Sequence, residues 1–169
     1  MPIAYLSPEP IYLPQRQPVV EPTTGAIHVT WFKFLQELVH RGHWTTLAFL
    51  AANFTASPSM TWVLTEADQV TLSYTIAGKT MTVAFTLENT SVGGVVSSAL
   101  RIALPPGRVA TRAMASPVRI RDNGTWTTGE ASVVADGTYI TIQRTDGANF
   151  TLSTNATDVR GQLTLEVAR

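Results

Sequence analysis

Three groups of residues in this sequence have side chains that could do chemistry. Glu37, His40 and His43 are spaced three apart, which would gather carboxylate and imidazole ligands on one helix face around a metal. Gly42 is placed to end that helix first, taking His43 off the shared face, so a solvated helix end is the plainer reading. Asp122, Asp136 and Asp146 have the chemistry of general acids or bases. Each, however, opens an Asp-Asn-Gly or Asp-Gly turn, where the carboxylate is expected to bond the neighbouring backbone. No Gly-x-Ser-x-Gly elbow, Gly-rich phosphate loop or His-Glu-x-x-His helix occurs, so nucleophilic, nucleotide and zinc-hydrolase chemistries have no foothold. Neither catalysis nor a metal or other cofactor is expected.

The third group is cationic. Between Glu88 and Asp122 there is no acidic residue, while Arg101, Arg108, Arg112, Arg119 and Arg121 give that stretch a formal charge of +5. Two readings stand: solvation that discourages edge pairing, or a site for phosphate or an acidic sugar, which the planar guanidinium recognises in bidentate fashion. Arg108 and Arg112 are the candidate receptor contacts, together with Trp126, an aromatic platform beside the Asp122-Asn123-Gly124 turn. Strand alternation would separate Arg119 and Arg121 from the other three. The Asn-x-Ser/Thr triplets at Asn53, Asn89, Asn123, Asn149 and Asn155 arise by chance in a chain with 25 threonines and say nothing about glycans.

Composition sets the scaffold for these groups. The 169 residues suffice for one ordinary domain, and 44% apolar against 14% charged residues can bury a sizeable core. A net charge of zero removes long-range steering toward nucleic acid or acidic membrane, so no nucleic-acid partner is expected. Without cysteine, disulfides and thiolate chemistry are excluded. The first residues lack the basic and apolar regions of a secretory leader, and no apolar run is long enough to span a bilayer, so a soluble chain without membrane insertion is expected.

Six prolines fall in the first 22 residues with apolar and aromatic residues between them, which predicts an extended arm over 1–27. Tyr5, Leu6, Tyr12, Leu13, Val19 and Val20 are its candidate anchoring residues, since an arm this apolar is better suited to docking than to linking. Over 28–43, Trp31, Leu35 and Leu38 at i, i+4 and i+7 predict one short amphipathic helix from Thr30 to Arg41. Such a helix is marginal alone, and burying that stripe against its own copies would make it a trimer interface.

From residue 44 to 169 the pattern has period two. Strands are predicted over 44–54, 61–64, 70–76, 81–87, 97–104, 117–121, 124–128, 132–135, 139–144, 149–153 and 162–167, with a hairpin at Ala77-Gly78-Lys79-Thr80. With no helical pattern between them, the expected fold is mainly β: an extended arm and one short α-helix, then an antiparallel β-sandwich, jelly-roll-like, of about eight to ten strands.

Two stretches carry a resemblance. Leu13-Pro14-Gln15-Arg16-Gln17-Pro18-Val19-Val20-Glu21-Pro22-Thr23-Thr24-Gly25, followed by Thr30-Trp31-Phe32-Lys33-Phe34-Leu35, resembles the N-terminal segment of small tailed-bacteriophage virion proteins. There a Pro-Val-Val-Asp-Pro-x-Thr-Gly type arm precedes a short aromatic helix, and Glu21 stands here where the arm often has Asp. The run from Tyr74 to Val83, continuing to Leu100-Arg101-Ile102-Ala103-Leu104-Pro105, is similar to the β domains of phage fibres and spikes. The resemblance implies a virion structural protein, commonly a homotrimer, held by its arm to tail or capsid proteins and presenting its β domain outward to a host-surface glycan or a further fibre. A tail fibre or spike-like appendage is the first expectation. A capsid decoration or head-fibre protein is the alternative, and a carbohydrate-binding β module is a third, from another class.

Overall fold

The computed structural model describes residues 18–40 and 43–168, with side chains of the helix through Gln36. Helix α1 spans Val29–His40, and the strands are β1 (Thr45–Thr46), β2 (Phe54–Ala56), β3 (Met60–Val63), β4 (Gln69–Ala77), β5 (Thr80–Gly94), β6 (Leu100–Ala103), β7 (Met114–Asp122), β8 (Thr125–Val133), β9 (Tyr139–Arg144) and β10 (Ser153–Glu166). Every pairing between them is antiparallel. The sheet runs β1-β4-β5-β10-β7-β8-β9-β6-β2, with β3 also on β5.

One strand organises this order. Along one edge β5 pairs first with β4, from Thr80 to Leu87, and then with β3, from Ser91 to Gly94, while β10 takes its other edge. β2 lies at the far end of the sheet, yet only Ser57-Pro58-Ser59 separates it from β3. That short link draws the far edge back beside β5, where Phe54 of β2 meets Trp62 of β3 edge-on at 5.7 Å. The sheet therefore curls over itself, sandwich-like, around one core. Met81, Val83, Phe85 and Leu87 of β5 point inward with Leu163 and Leu165 of β10. Thr82, Ala84 and Thr86 alternate with them on the outer face, as period two demands. Burying each large apolar side chain contributes about 1.5–3 kcal/mol.

Turn chemistry closes the hairpins. Ala77 pairs with Thr80, leaving a two-residue loop whose first position, Gly78, has φ +65°, as Gly-first hairpin loops require. Asn123 and Gly124 both have positive φ, +45° and +84°, the pattern of a type I′ turn.

The fold class matches the expectation, and several boundaries differ for physical reasons. The strand predicted over 44–54 reduces to β1, a short 3-10 turn at Ala51–Asn53 and the start of β2. Phe49 stacks on Phe54 with ring centroids 6.0 Å apart, which a continuous strand would forbid by holding residues five apart at about 17 Å. The predicted strands 124–128 and 132–135 are one strand, β8, running unbroken through Gly129. No strand occupies 149–152; Phe150 instead plugs the core, and β10 begins at Ser153. Where extended chain was expected, residues 19–28 turn back on themselves: Val20 bridges Ile27, and His28 N–H donates to the Val19 carbonyl at 3.0 Å. Tyr5, Leu6, Tyr12 and Leu13 lie outside the described residues.

Gly129 is kept by packing rather than by backbone freedom. A Cβ there would run into the Ile120 side chain and stand 2.8 Å from the Gln143 carbonyl oxygen. Gly129→Ala is expected to cost about 2 kcal/mol, as overpacked core positions do, seen as a lower urea midpoint with an unchanged slope.

Candidate functional site

Polar side chains gather where β7 turns into β8, beside the end of β9 and the beginning of β10. The inner side of this end is built on Asp122, the last residue of β7, whose side chain is almost wholly buried. It accepts from Arg144 Nη1 at 2.6 Å, from the Thr151 N–H at 3.0 Å and from Thr151 Oγ1 at 3.0 Å. Arg144 continues to Asp146 through Nε at 3.1 Å and Nη2 at 2.5 Å, and Asp146 accepts in addition from the Ala148 N–H at 3.0 Å. These bonds hold the Asp146 carboxyl below its ordinary range, the hydrogen bond from Arg144 first and that from Ala148 second. The same hydrogen bond to Asp146 raises Arg144, against the opposing effect of burial. Asp122, Arg144 and Thr151, with Asn123, Thr125 and Thr127, line a depression of about 260 Å³.

Asp122 thus departs from its expected role. Its carboxylate bonds no turn backbone of its own; it is the buried anchor of a segment 29 residues away, because the inward-facing register at the end of β7 aims it into the sheet. Asp146 does bond its local backbone, as expected. Asp136 takes a left-handed turn conformation at φ +60°.

On the outer face the same end carries a second cluster. Asp158 of β10 is 1% exposed and accepts from the Asn89 N–H at 2.9 Å and from Arg121 Nη2 at 2.8 Å. Arg160 reaches Glu88 at 3.1 Å and Asp158 at 3.5 Å. Trp126 lies over this group, its ring centroid 4.1 Å from the Arg119 guanidinium and 5.0 Å from that of Arg160.

The acid-free stretch does not form one cationic patch. Arg101 stacks on Tyr139 at 4.7 Å. Arg108 stands in the loop after Pro105-Pro106-Gly107, and Arg112 pairs with Glu166 at 3.2 Å. Glu166 lies eight residues along β10 from Asp158, about 26 Å in an extended strand, so Arg108 and Arg112 sit at the opposite end of the sheet from Trp126. Arg112 and Arg121 find their carboxylates on β10, outside the segment whose composition drew attention. The edge-solvation reading also fails for Arg119 and Arg121, because β7 is an interior strand of the sheet. Sequence reasoning did not single out Glu88, Arg144, Asp158 and Arg160. Asp158-Val159-Arg160, with two charges of opposite sign on one strand face, was the available signal.

The helix candidates are placed in part. Trp31 is half-buried and meets Phe34 edge-on at 5.6 Å, and Leu35 is exposed, as are Val19 and Val20. The side chains of Leu38, Glu37 and His40 lie outside the described residues. Among the described residues no group of three or more His, Asp or Glu could hold a metal, and no helix is long and apolar enough to cross a membrane.

The fold and site define a mainly-β chain, a curled ten-stranded antiparallel sheet with a charged, hydrogen-bonded end. No protein-family model matches the chain, and no curated protein or solved structure matches it.

Removing the buried carboxylate strands its partners. Asp122→Ala is expected to cost about 3 kcal/mol, measured by urea unfolding. The acid response follows from Asp146. Its folded pKa lies below the ordinary 3.8, so the stability it adds is fully present above that value and lost as pH falls through the folded one. The melting-temperature gap between wild type and Asp146→Asn is expected to be constant near neutral pH and to close below pH 3.8.

Proposed function

We propose that this chain is a non-catalytic virion structural protein, a short trimeric tail appendage of the tailed-bacteriophage kind, held to the particle by its N-terminal arm. The observation that carries the reading is the uncovered apolar side of α1. Phe32 is 50% exposed and Leu35 41%, on a helix of 12 residues that is too short to be stable in water by itself. Phe32 and Leu35 are three positions apart on that helix, and three copies side by side would bury them. The buried charges support the same reading from the other direction. Asp122 and Asp158 are each engaged by an arginine and by a backbone N–H, which suits a durable outward module. The resemblance of the Pro18–Gly25 stretch and the aromatic helix to phage virion arms supplies the particle. In this reading the assembled protein resides in the virion, and its arm contacts tail proteins.

Light scattering on the purified full chain is expected to give about 55 kDa, three times the 18.3 kDa chain, and Leu35→Lys is expected to give the monomer with the β-domain melting transition retained. A monomer mass for the wild type at micromolar concentration, with the helix formed by circular dichroism, removes the bundle. Deletion of residues 1–22 is expected to leave folding intact and abolish incorporation into particles; normal incorporation removes the anchor.

A further inference from the structure

The outer-face cluster contains an arrangement that a sheet built only for stability would avoid. Register sets Arg160 of β10 directly opposite Arg119 of β7, and like charges so placed destabilise a strand pair. Arg160 is compensated by Glu88 and Asp158, and Arg121 by Asp158, while it also donates to Asn89 Oδ1. Arg119 meets no carboxylate among the described residues. Three guanidiniums against two carboxylates leave one positive charge in excess, and it resides on Arg119, an exposed residue. Its guanidinium is laid against the Trp126 ring at 4.1 Å. Stacking fixes the plane of the group while leaving its N–H edge without an acceptor, so little freedom remains to be lost when an anion binds.

We infer that Arg119, backed by Trp126 and flanked by Arg160, binds an oxyanion: the carboxylate or phosphate group of an acidic surface polymer. A fork of N–H donors with fixed plane matches the two oxygens of such a group. A neutral sugar fits less well, because the ring surface it would stack on is covered by guanidinium. A nucleic acid would need a track of successive phosphate contacts, whereas the neighbours along this face are Asp158 and Glu88. The site thereby moves from Arg108 and Arg112 to the opposite end of the sheet. The inference rests on the appendage reading for the source of the polymer, while binding itself needs only the folded chain.

The test titrates the purified full chain with oligogalacturonate, with phosphorylated dextran and with neutral dextran, following heat and tryptophan fluorescence at low and at physiological salt. Saturable, salt-sensitive binding to at least one acidic probe and none to neutral dextran is expected. Binding to the first alone identifies a carboxylate polymer, and binding to the second alone a phosphate-bearing one. Arg119→Gln is expected to weaken binding about tenfold, and Arg119→Lys, which keeps the charge but loses the planar fork, to weaken it too. Arg108→Gln is expected to bind as wild type. Melting within about 2 °C of wild type certifies that each variant is folded. Equal binding by wild type and both Arg119 variants overturns the inference, as does the absence of binding to either acidic probe at millimolar concentration. Neither result bears on the trimer, which is read from mass.

Discussion

The register of β5 against its neighbours is the constraint on which everything else depends. Slipping it by one residue would turn Thr82, Ala84 and Thr86 into the core and expose Met81, Val83, Phe85 and Leu87. That same register passes to β10, where Val159 faces Leu87 and Arg160 faces Thr86, and from β10 to β7, where Arg160 faces Arg119 and Asp158 faces Arg121. The outer charged cluster is therefore fixed by a hydrophobic pattern two strands away. A bulge interrupts the ladder once it has passed Leu87, with register shifts on either side of Thr157. Between Thr157 and Val159 the extra residue lies on β5, where Glu88 and Asn89 stand between Leu87 and Thr90 opposite the single Asp158. Thr157 and Val159 face the core while Asp158, on the other face, is buried under its partners. Asn89, within that bulge, takes φ +55° and turns its N–H onto Asp158.

Burying the carboxylates and hydroxyls at this end is tolerable because they are answered, although Arg121 Nε and Arg160 Nε are buried without a partner among the described residues. Trp62 Nε1 donates to Thr90 Oγ1 at 2.8 Å, and that hydroxyl donates to the Thr157 carbonyl at 2.8 Å, a chain that ties β3, β5 and β10 through the interior. A buried ion pair contributes little net stability against apolar residues of similar size, but losing one partner is costly. Asp122 and Asp158 therefore act less as sources of stability than as a lock. They permit one arrangement of the 145–152 loop and of the β10 start, and penalise others. That lock holds Arg144 on the inner side and Arg121 and Arg160 on the outer side, which is what sets the plane on which Trp126 can lie.

The local pattern carried much of this structure in advance. The alternation of Met81 to Leu87 and the Gly78 turn specify the β4–β5 hairpin, and Tyr139 to Arg144 specify β9 to the residue. What escaped is what depends on contacts distant in sequence. The stacking of Phe49 on Phe54 ends a strand that β-branched and aromatic residues would otherwise continue. Gly129 reads as a break and is instead a vacancy filled by Ile120. Charge was the least legible property. A stretch of +5 looked like a patch only because Glu166 and Asp158, which neutralise two of its members, come from β10 at the end of the chain. Arg144 and Asp122, 22 residues apart, meet for the same reason: the β7, β8 and β9 meander returns one strand end to the next.

The two proposed contacts would draw on different forces. Phe32 and Leu35 are exposed on α1, and association there would be driven by removing them from water, a force that salt does not screen. The Arg119 and Trp126 surface has one excess charge on an otherwise compensated face, so its attraction is short in range and screened within about 10 Å at 0.1 M salt. A zero net charge serves both. It spares copies of the chain the mutual repulsion that would oppose association through the helix, and it leaves no long-range field to draw anions elsewhere on the molecule. One weakly attractive site gains most when several copies face the same polymer, since linking sites raises avidity without any new contact. Under the proposed trimer, self-association through α1 and a single-charge site on the sheet would be parts of one design: the helix would supply the copies that make a weak site sufficient.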